Sequence, residues 1–337
     1  MLKIGKKRLL EPPKIVVCGG GTGSFTLLQD LKRITPHITA LITMCDDGGS
    51  TGRLRDELGV LPAGDVRQCL VALSNAPEIR DIFGYRFGEG SLAGQSLGNI
   101  ILAGLELQYD FRKAIKVASS VLNITGQVIP ITTDKHTLVL HDGRRTIRGQ
   151  FEIDQSVLRT ADPKLELEPA AVMNPDAAAA LAAADLIVLA PGSLYGSLLS
   201  LLAVNGVPEA IRAAKAPKIV VSNLVTKPGQ TDGWHAVDYI HRFERELGKG
   251  TIDMVLYNNR PPSTYLLKKY AAAGEFPVAF DDERFKEIKA RSIGGNVVAG
   301  HVFPAPVNDV AVRRTFIRHD GAEVGRLIMQ YWRKLKR

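Results

Sequence analysis

KIVVCGGGTG, residues 14–23, is the stretch that decides the fold. Ile15-Val16-Val17-Cys18 is a short continuous apolar run, the pattern of a strand covered on both faces. Gly19-Gly20-Gly21-Thr22-Gly23 follows, and a helix is predicted over about 24–32. Strand, glycine turn and helix in that order make the first unit of an α/β fold. Glycines let backbone N–H groups approach a phosphate, and a helix N-terminus favours negative charge there. A tight turn also uses glycine for its backbone freedom alone, so a structural role is the alternative. The spacing is neither GxxxxGK[ST] nor GxGxxG, so this is neither a P-loop nor a dinucleotide fingerprint.

Outward from this unit the rhythm recurs. Residues 40–45 read as a second strand ending at Asp46-Asp47, and helices are predicted at 65–74, 97–107 and 111–122. Further along come strand 186–190, helix 194–204, strand 218–222, helix 233–247 and strand 252–257. A last helix over 322–336 carries an apolar stripe at Val324, Leu327, Ile328, Tyr331 and Leu335. In the middle, residues 136–140 and 146–153 flank Asp142-Gly143, a hairpin signal. Asn174 is suited to cap the alanine-rich helix over 177–184, with Pro175 in its first turn. The expected fold is α/β and Rossmann-like: a doubly wound, mostly parallel sheet with helices on both faces and an inserted β-hairpin. A basic tail over 1–13 precedes one expected domain over 14–337.

The bulk numbers fit this. Of 337 residues, 45% are hydrophobic and 23% charged, which is ordinary for a globular chain. Cys18, Cys45 and Cys69 form no CxxC pair and no zinc spacing, which favours a reducing compartment and buried packing roles. The N-terminus lacks the apolar core of a signal peptide, and no apolar run approaches the roughly 20 residues of a membrane span. A cytoplasmic protein is expected. The formal charge of +8 lies partly in Lys6-Lys7-Arg8 and in Arg333-Lys334-Leu335-Lys336-Arg337. Solvated chain ends or an anionic small ligand account for it, and no motif supports specific nucleic-acid binding.

In such sheets ligands bind beyond the carboxyl ends of the strands. Gly20, Gly21, Thr22 and Gly23 are therefore the first candidates. Next come Asp46 and Asp47, in the run DDGGSTGRLR over 46–55. Acids here can hydrogen-bond a ribose hydroxyl or hold Mg²⁺ through water. Ser50 adds a hydroxyl, and Arg53 and Arg55 suit phosphate contacts; a solvated turn is the alternative. Asp65 is read as an N-cap, and Asn99 as a ligand contact or a supporting residue. Gly192, Ser193 and Leu194, in PGSLYGS, repeat the strand, glycine turn and helix design and can cradle a second anionic group. In NLVTKPGQTDG, residues 223–233, Asn223 and Thr226 join Gln230, Thr231 and Asp232 as groups able to read a sugar or base; Asp232 alternatively caps the next helix. There is no GxSxG elbow and no HExxH. His319 is the candidate for acid–base chemistry, with a surface turn as the alternative.

The ordered set KIVVCGGGTG, DDGGSTGRLR, PAGDVRQCLVAL, GQSLGN, ADLIVLAPGSLYGS, NLVTKPGQTDG and IRHD resembles the YvcK-like family, also called gluconeogenesis factors, within the broader CofD-like superfamily. The resemblance runs over about 14–320. It implies a Rossmann-like fold and a non-enzymatic UDP-sugar binder, with UDP-N-acetylglucosamine as the usual ligand, linked to cell-wall precursor metabolism, cell shape and gluconeogenic growth. Gly20, Gly21, Thr22, Gly23, Asp46, Asp47, Arg53, Ser193, Asn223 and Arg318 stand where the family pattern has the same residue. Tyr270 is matched to a family aromatic before a late strand, here Pro277-Val278. Gln95 replaces a usual His, Lys227 and Gln230 replace a usual Gln and Glu, and Ser200-Leu201 replaces a common Pro-Asn pair. These departures bear on sugar identity more than on fold.

The resemblance also implies a competitor: a metal-dependent phospholactyl transferase acting on a deazaflavin, with Mg²⁺ held at Asp46 and Asp47. The loops follow the YvcK-like pattern and favour the binder, which needs no cofactor. A nicotinamide-dependent dehydrogenase has only the glycine turn and the acids after strand two in its support. The expected partner is a nucleotide sugar, and a regulatory role allows a homo-oligomer and a protein partner beside it.

Overall fold

The computed structural model describes residues 11–300 and 317–336. Lys6-Lys7-Arg8, with most of the expected basic tail, and Arg337 lie outside the described residues. The first half runs β1 (Ile15–Gly19), α1 (Gly21–Leu31), β2 (Ile38–Ile42), α2 (Gly49–Leu58), α3 (Gly64–Leu73), α4 (Pro77–Gly84), α5 (Leu97–Gln108), α6 (Phe111–Val121) and β3 (Gln127–Pro130). A smaller unit follows: β4 (Thr137–Asp142), β5 (Arg145–Arg148), α7 (Gln150–Gln155) and β6 (Lys164–Glu168). After α8 (Pro175–Ala182) and β7 (Leu186–Leu189), a π-helical turn (Leu194–Leu199) leads into α9 (Ser200–Leu202) and α10 (Val207–Ala213). The chain closes with β8 (Lys218–Val221), α11 (Ala236–Leu247), β9 (Met254–Asn258), α12 (Thr264–Ala271), β10 (Arg291–Gly295) and α13 (Gly321–Leu335).

Seven strands pair in the order β10-β9-β8-β7-β1-β2-β3, every pair parallel. Alternate side chains feed two cores. Ile15, Val17, Val188 and Val221 point to one face with α1, α3 and α13; Val16, Cys18, Ile187 and Val220 point to the other with α10 and α11. Burial on both faces explains why these strands read as continuous apolar runs. Cys18, Cys45 and Cys69 are buried free thiols, as expected, and burial pushes Cys18 and Cys45 up to about 12. Among the described residues no helix is long and apolar enough to cross a membrane.

Helix α1 carries β1 to β2 over the first face, whereas α10 carries β7 to β8 over the second. The winding therefore reverses between β1 and β7, which are neighbours, and a crevice is expected at that point. Two glycine turns meet there. A Cβ on Gly23 would sit 1.6 Å from the Pro191 carbonyl oxygen, and one on Gly20 would sit 2.7 Å from Ser197 Oγ. Gly23 is required by this backbone contact.

Some local expectations shift. DDGGSTGRLR is largely helical, since α2 starts at Gly49, whose φ is +46°. The hairpin forms with Gly143 at φ +65°, but its second strand stops at Arg148 and not at Ile153. Gly149, at φ +93°, ends it and α7 begins. β6 adds a third strand, antiparallel to β4. Asn174 caps α8, with its Oδ1 3.0 Å from the Asp176 amide. Helix α11 starts at Ala236 because His235 forms the capping box with Asp238; Asp232 instead accepts from the Gly229 amide.

Gly23→Ala is expected to destabilise the fold by about 3 kcal/mol or more, because a backbone carbonyl cannot move aside as a side chain can. Gly104→Ala is its control: its Cβ meets nothing within 4 Å, inside α5. Helix propensity should make that change stabilising by about 0.5–1 kcal/mol. Urea denaturation of the two variants checks both signs.

Candidate functional site

The first turn is filled by the protein's own acid. Gly20 is the N-cap of α1, and Cβ atoms on Gly20 and Gly21 would lie 3.0 Å and 2.6 Å from the Asp65 carboxylate. The Gly21 amide is a hydrogen-bond partner of that carboxylate, and Thr22 Oγ1 donates to Gln68 Oε1 at 3.1 Å. Asp65 is thus the second residue of α3, turned towards α1, and not the N-cap of its own helix. Burial, and then the charge of Asp46, push it up to about 7. Asp46 is also pushed upward, by burial above all, against hydrogen bonds from Thr51 and the Gly48 amide. Arg67 opposes both shifts and donates to Asn99 Oδ1 at 2.8 Å.

The other residues singled out after β2 have internal partners. Asp47 accepts from the amides of Gln150 at 2.9 Å and Phe151 at 2.8 Å, so each of its oxygens holds the start of α7. Ser50 Oγ donates to Gln95 Oε1 at 2.6 Å and accepts from the Ser96 amide and Asn99 Nδ2. Ser50 and Asn99 therefore belong to a buried network joining α2 to α5. Arg53 is exposed on α2 beside Glu57, at 3.8 Å, so the helical form of this segment turns it towards solvent. Arg55 lies beside Asp56 at 3.2 Å.

The second turn opens onto a cavity of about 160 Å³. Gly192, Ser193, Leu194, Asn223, Thr226 and Tyr270, dispersed in sequence, all line it, as do Ile317 and His319 on either side of Arg318. Asn223 clasps Gly192 through both its amide groups, accepting from the Gly192 N–H at 3.0 Å and donating to its carbonyl at 2.9 Å. Thr226 is fixed by the backbone and hydroxyl of an exchange with Phe276. The Tyr270 hydroxyl accepts from the Ile317 amide at 3.0 Å. Burial lowers the Arg318 pKa, and the nearby Tyr270 counters this. His319 is buried, lowered to about 4, and its Nε2 lies 3.0 Å from the Ser222 carbonyl. It is a neutral donor to that carbonyl near pH 7, neither an acid–base group there nor a surface turn.

Asp154 is the residue that sequence reasoning missed. Its Oδ1 accepts from Ser193 Oγ and from Lys227 Nζ, both at 2.5 Å, and its Oδ2 accepts from Gln150 Nε2 at 3.1 Å. Gln230 Nε2 donates to the carbonyls of Ile153 and Ser156, contacts that the usual ionised Glu could not donate. Through these contacts α7 is fastened to the loops after β2, β7 and β8.

The Asp65 shift fixes a pH dependence. Its folded pKa lies above the ordinary 3.8, so the folded form holds the proton more tightly. Its contribution favours folding at low pH and is lost as pH rises through about 7. Asp65→Asn should therefore raise Tm, relative to the parent, more at pH 8 than at pH 5. Thermal melts at the two pH values check this, and an equal shift at both would contradict it.

Known proteins align with this arrangement along nearly the whole chain. A family model described as 2-phospho-L-lactate transferase CofD matches residues 15–298. The chain is 37% identical over 329 residues to the gluconeogenesis factor of Bacillus subtilis, covering 95% of this chain and 98% of that one. It is 38% identical over 320 residues to a putative gluconeogenesis factor of Thermotoga maritima, covering 94% and 98%. A crystal structure of a Bacillus halodurans protein, described as a member of the upf0052 family, superposes with a TM-score of 0.86 at 34% identity, covering 95% of this chain and all of that one. The seven-stranded parallel sheet, its paired glycine turns and this likeness over almost the full length place the chain in the YvcK-like gluconeogenesis factor family of the CofD superfamily.

Proposed function

We propose that the protein is a non-enzymatic, nucleotide-sugar-binding regulator, with UDP-N-acetylglucosamine as its ligand, acting in cell-wall precursor metabolism, cell shape and gluconeogenic growth. The observation that carries this reading is the convergence of Gly192, Ser193, Leu194, Asn223, Thr226 and Tyr270 on one cavity at the carboxyl edge of the sheet. At about 160 Å³ the cavity suits one ring of such a ligand and not the whole. Charge then orients the remainder. Asp46 and Asp65 make the first turn unfavourable for a diphosphate, whereas the second turn offers the first amides of the π-helical turn on a cavity also lined by Ile317 and His319, which flank Arg318 in the chain.

The transferase alternative would chelate Mg²⁺ with Asp46 and Asp47. That donor set already has structural partners: each Asp47 oxygen accepts an amide at the start of α7, and Asp46 is hydrogen-bonded to Thr51 and Gly48. Among the described residues, no group of three His, Cys or carboxylate ligands gathers at these turns.

Gly21 is a poor probe of binding, since added bulk displaces Asp65 and Gln68. Arg318 is the better one. Arg318→Ala is expected to weaken UDP-N-acetylglucosamine binding by roughly 1.5–3 kcal/mol in calorimetry, with Arg318→Lys in between. Lost thermal stability with unchanged affinity would assign Arg318 to the turn alone. Binding should also be the same in EDTA and in excess Mg²⁺, with the sugar recovered intact. Metal-dependent transfer from an activated phospholactyl donor to a deazaflavin would replace the binder by the transferase.

A further inference from the structure

A second cavity, of about 580 Å³, shares no lining residue with the one at the second turn. It lies between the start of α6 and the loop that follows β3. Lys113 and Lys116 reach it from α6, and Lys135 from the loop. Arg112 is there too, but it is paired with Asp176 at 2.5 Å. Two carboxylates share the cavity, and backbone amides already hold both. Glu106 accepts from the Leu61 amide with both oxygens, at 3.0 and 3.1 Å, and Asp110 caps α6 by accepting from the Lys113 amide at 2.8 Å.

The lysines have no such satisfaction. Among the described residues, no ion pair within 4.0 Å forms at Lys113, Lys116 or Lys135. Lys135 lies near enough to Glu106 to offset part of its upward shift, which burial causes, and the Lys113 ammonium stands 5.9 Å over the Tyr109 ring. The three lysines are exposed, so water solvates their charges in the free protein, and all three line the same concavity. An ammonium is a compact point charge with three donors, and several around one cavity match the spread charge and many acceptors of a phosphate. The half-exposed Tyr109 ring supplies an apolar surface beside them. The volume is in the range of small-molecule sites.

We propose that this cavity is an anion site for a small phosphorylated ligand, separate from the nucleotide-sugar cavity. Lys113, Lys116 and Lys135 hold the phosphate oxygens, and Tyr109 covers the organic part. The site does not depend on the identity of the ligand at the second turn.

The test uses the full chain and inorganic pyrophosphate as probe. Acetylation of each lysine by acetic anhydride is read by mass spectrometry. Lys113, Lys116 and Lys135 should be labelled several-fold more slowly with pyrophosphate than with sodium chloride at equal ionic strength. In calorimetry the double substitution Lys116→Ala, Lys135→Ala should weaken this binding by about tenfold or more, while Arg318→Ala leaves it in place. Equal protection by chloride would reduce the effect to screening and overturn the site. Loss of protection in Arg318→Ala would put the anion in the nucleotide-sugar cavity instead. Protection without any probe, rising with protein concentration alongside a dimer in sedimentation, would assign the lysines to self-association and also overturn it.

Discussion

Where β1 and β7 lie side by side, their two glycine turns come into backbone contact, with Gly23 against the Pro191 carbonyl and Gly20 against Ser197. This contact sits where the sheet's winding reverses, so helices leave the two strands on opposite faces. A side chain at Gly20 would meet the side chains of Ser197 and Asp65, whereas one at Gly23 would push the strand ends apart. Both cores would feel it, because neighbouring residues of each strand point into opposite cores. Gly192, Ser193 and Leu194 hang from this junction, and Asn223 is fastened to it through Gly192.

The two turns look alike in sequence and differ in charge. The first is covered by Asp65, with Asp46 close by; burial raises both, and the charge of Asp46 raises Asp65 further. The second is shaped by the Asn223 clasp and by Asp154, which gathers Ser193 and Lys227. Asp154 sits on α7, whose start Asp47 holds and where Gly149 leaves the hairpin with a positive φ. The inserted unit is therefore a brace across three loops of the main sheet. A ligand at the second turn meets a surface already held in place, which lowers the ordering cost of binding.

Much of the fold was legible because parallel strands buried on both faces leave continuous apolar runs, and because glycine marks each strand-to-helix turn. β1, β7, β8 and β9 follow that signal, as do α1 and α11, whereas the expected helix over 194–204 is a π-helical turn and the short α9, with α10 beyond it. β3 carries little of it: QVIP is four residues, begins at an exposed Gln127 and ends in a proline. The short β6, KLELE, alternates charge with leucine and forms on the small sheet instead. α2 was hidden by its glycines and polar residues, which read as a loop until the Gly49 turn and packing against α5 made them helical.

The candidate site divides the same way. Sequence by itself determined the parallel sheet, the glycine turns at strand ends, and the clustering of functional groups at one edge. These follow from local pattern: apolar periodicity, backbone freedom and chain order. Only the tertiary structure decided which groups face one another. Asp47 became an anchor, Arg53 a solvent-facing helix residue and His319 a buried neutral donor. Asp154 became a junction for residues 39 and 73 positions away. Hydrogen-bond partners and desolvation depend on distances that separate elements acquire only when they pack, and residue order does not encode those distances locally.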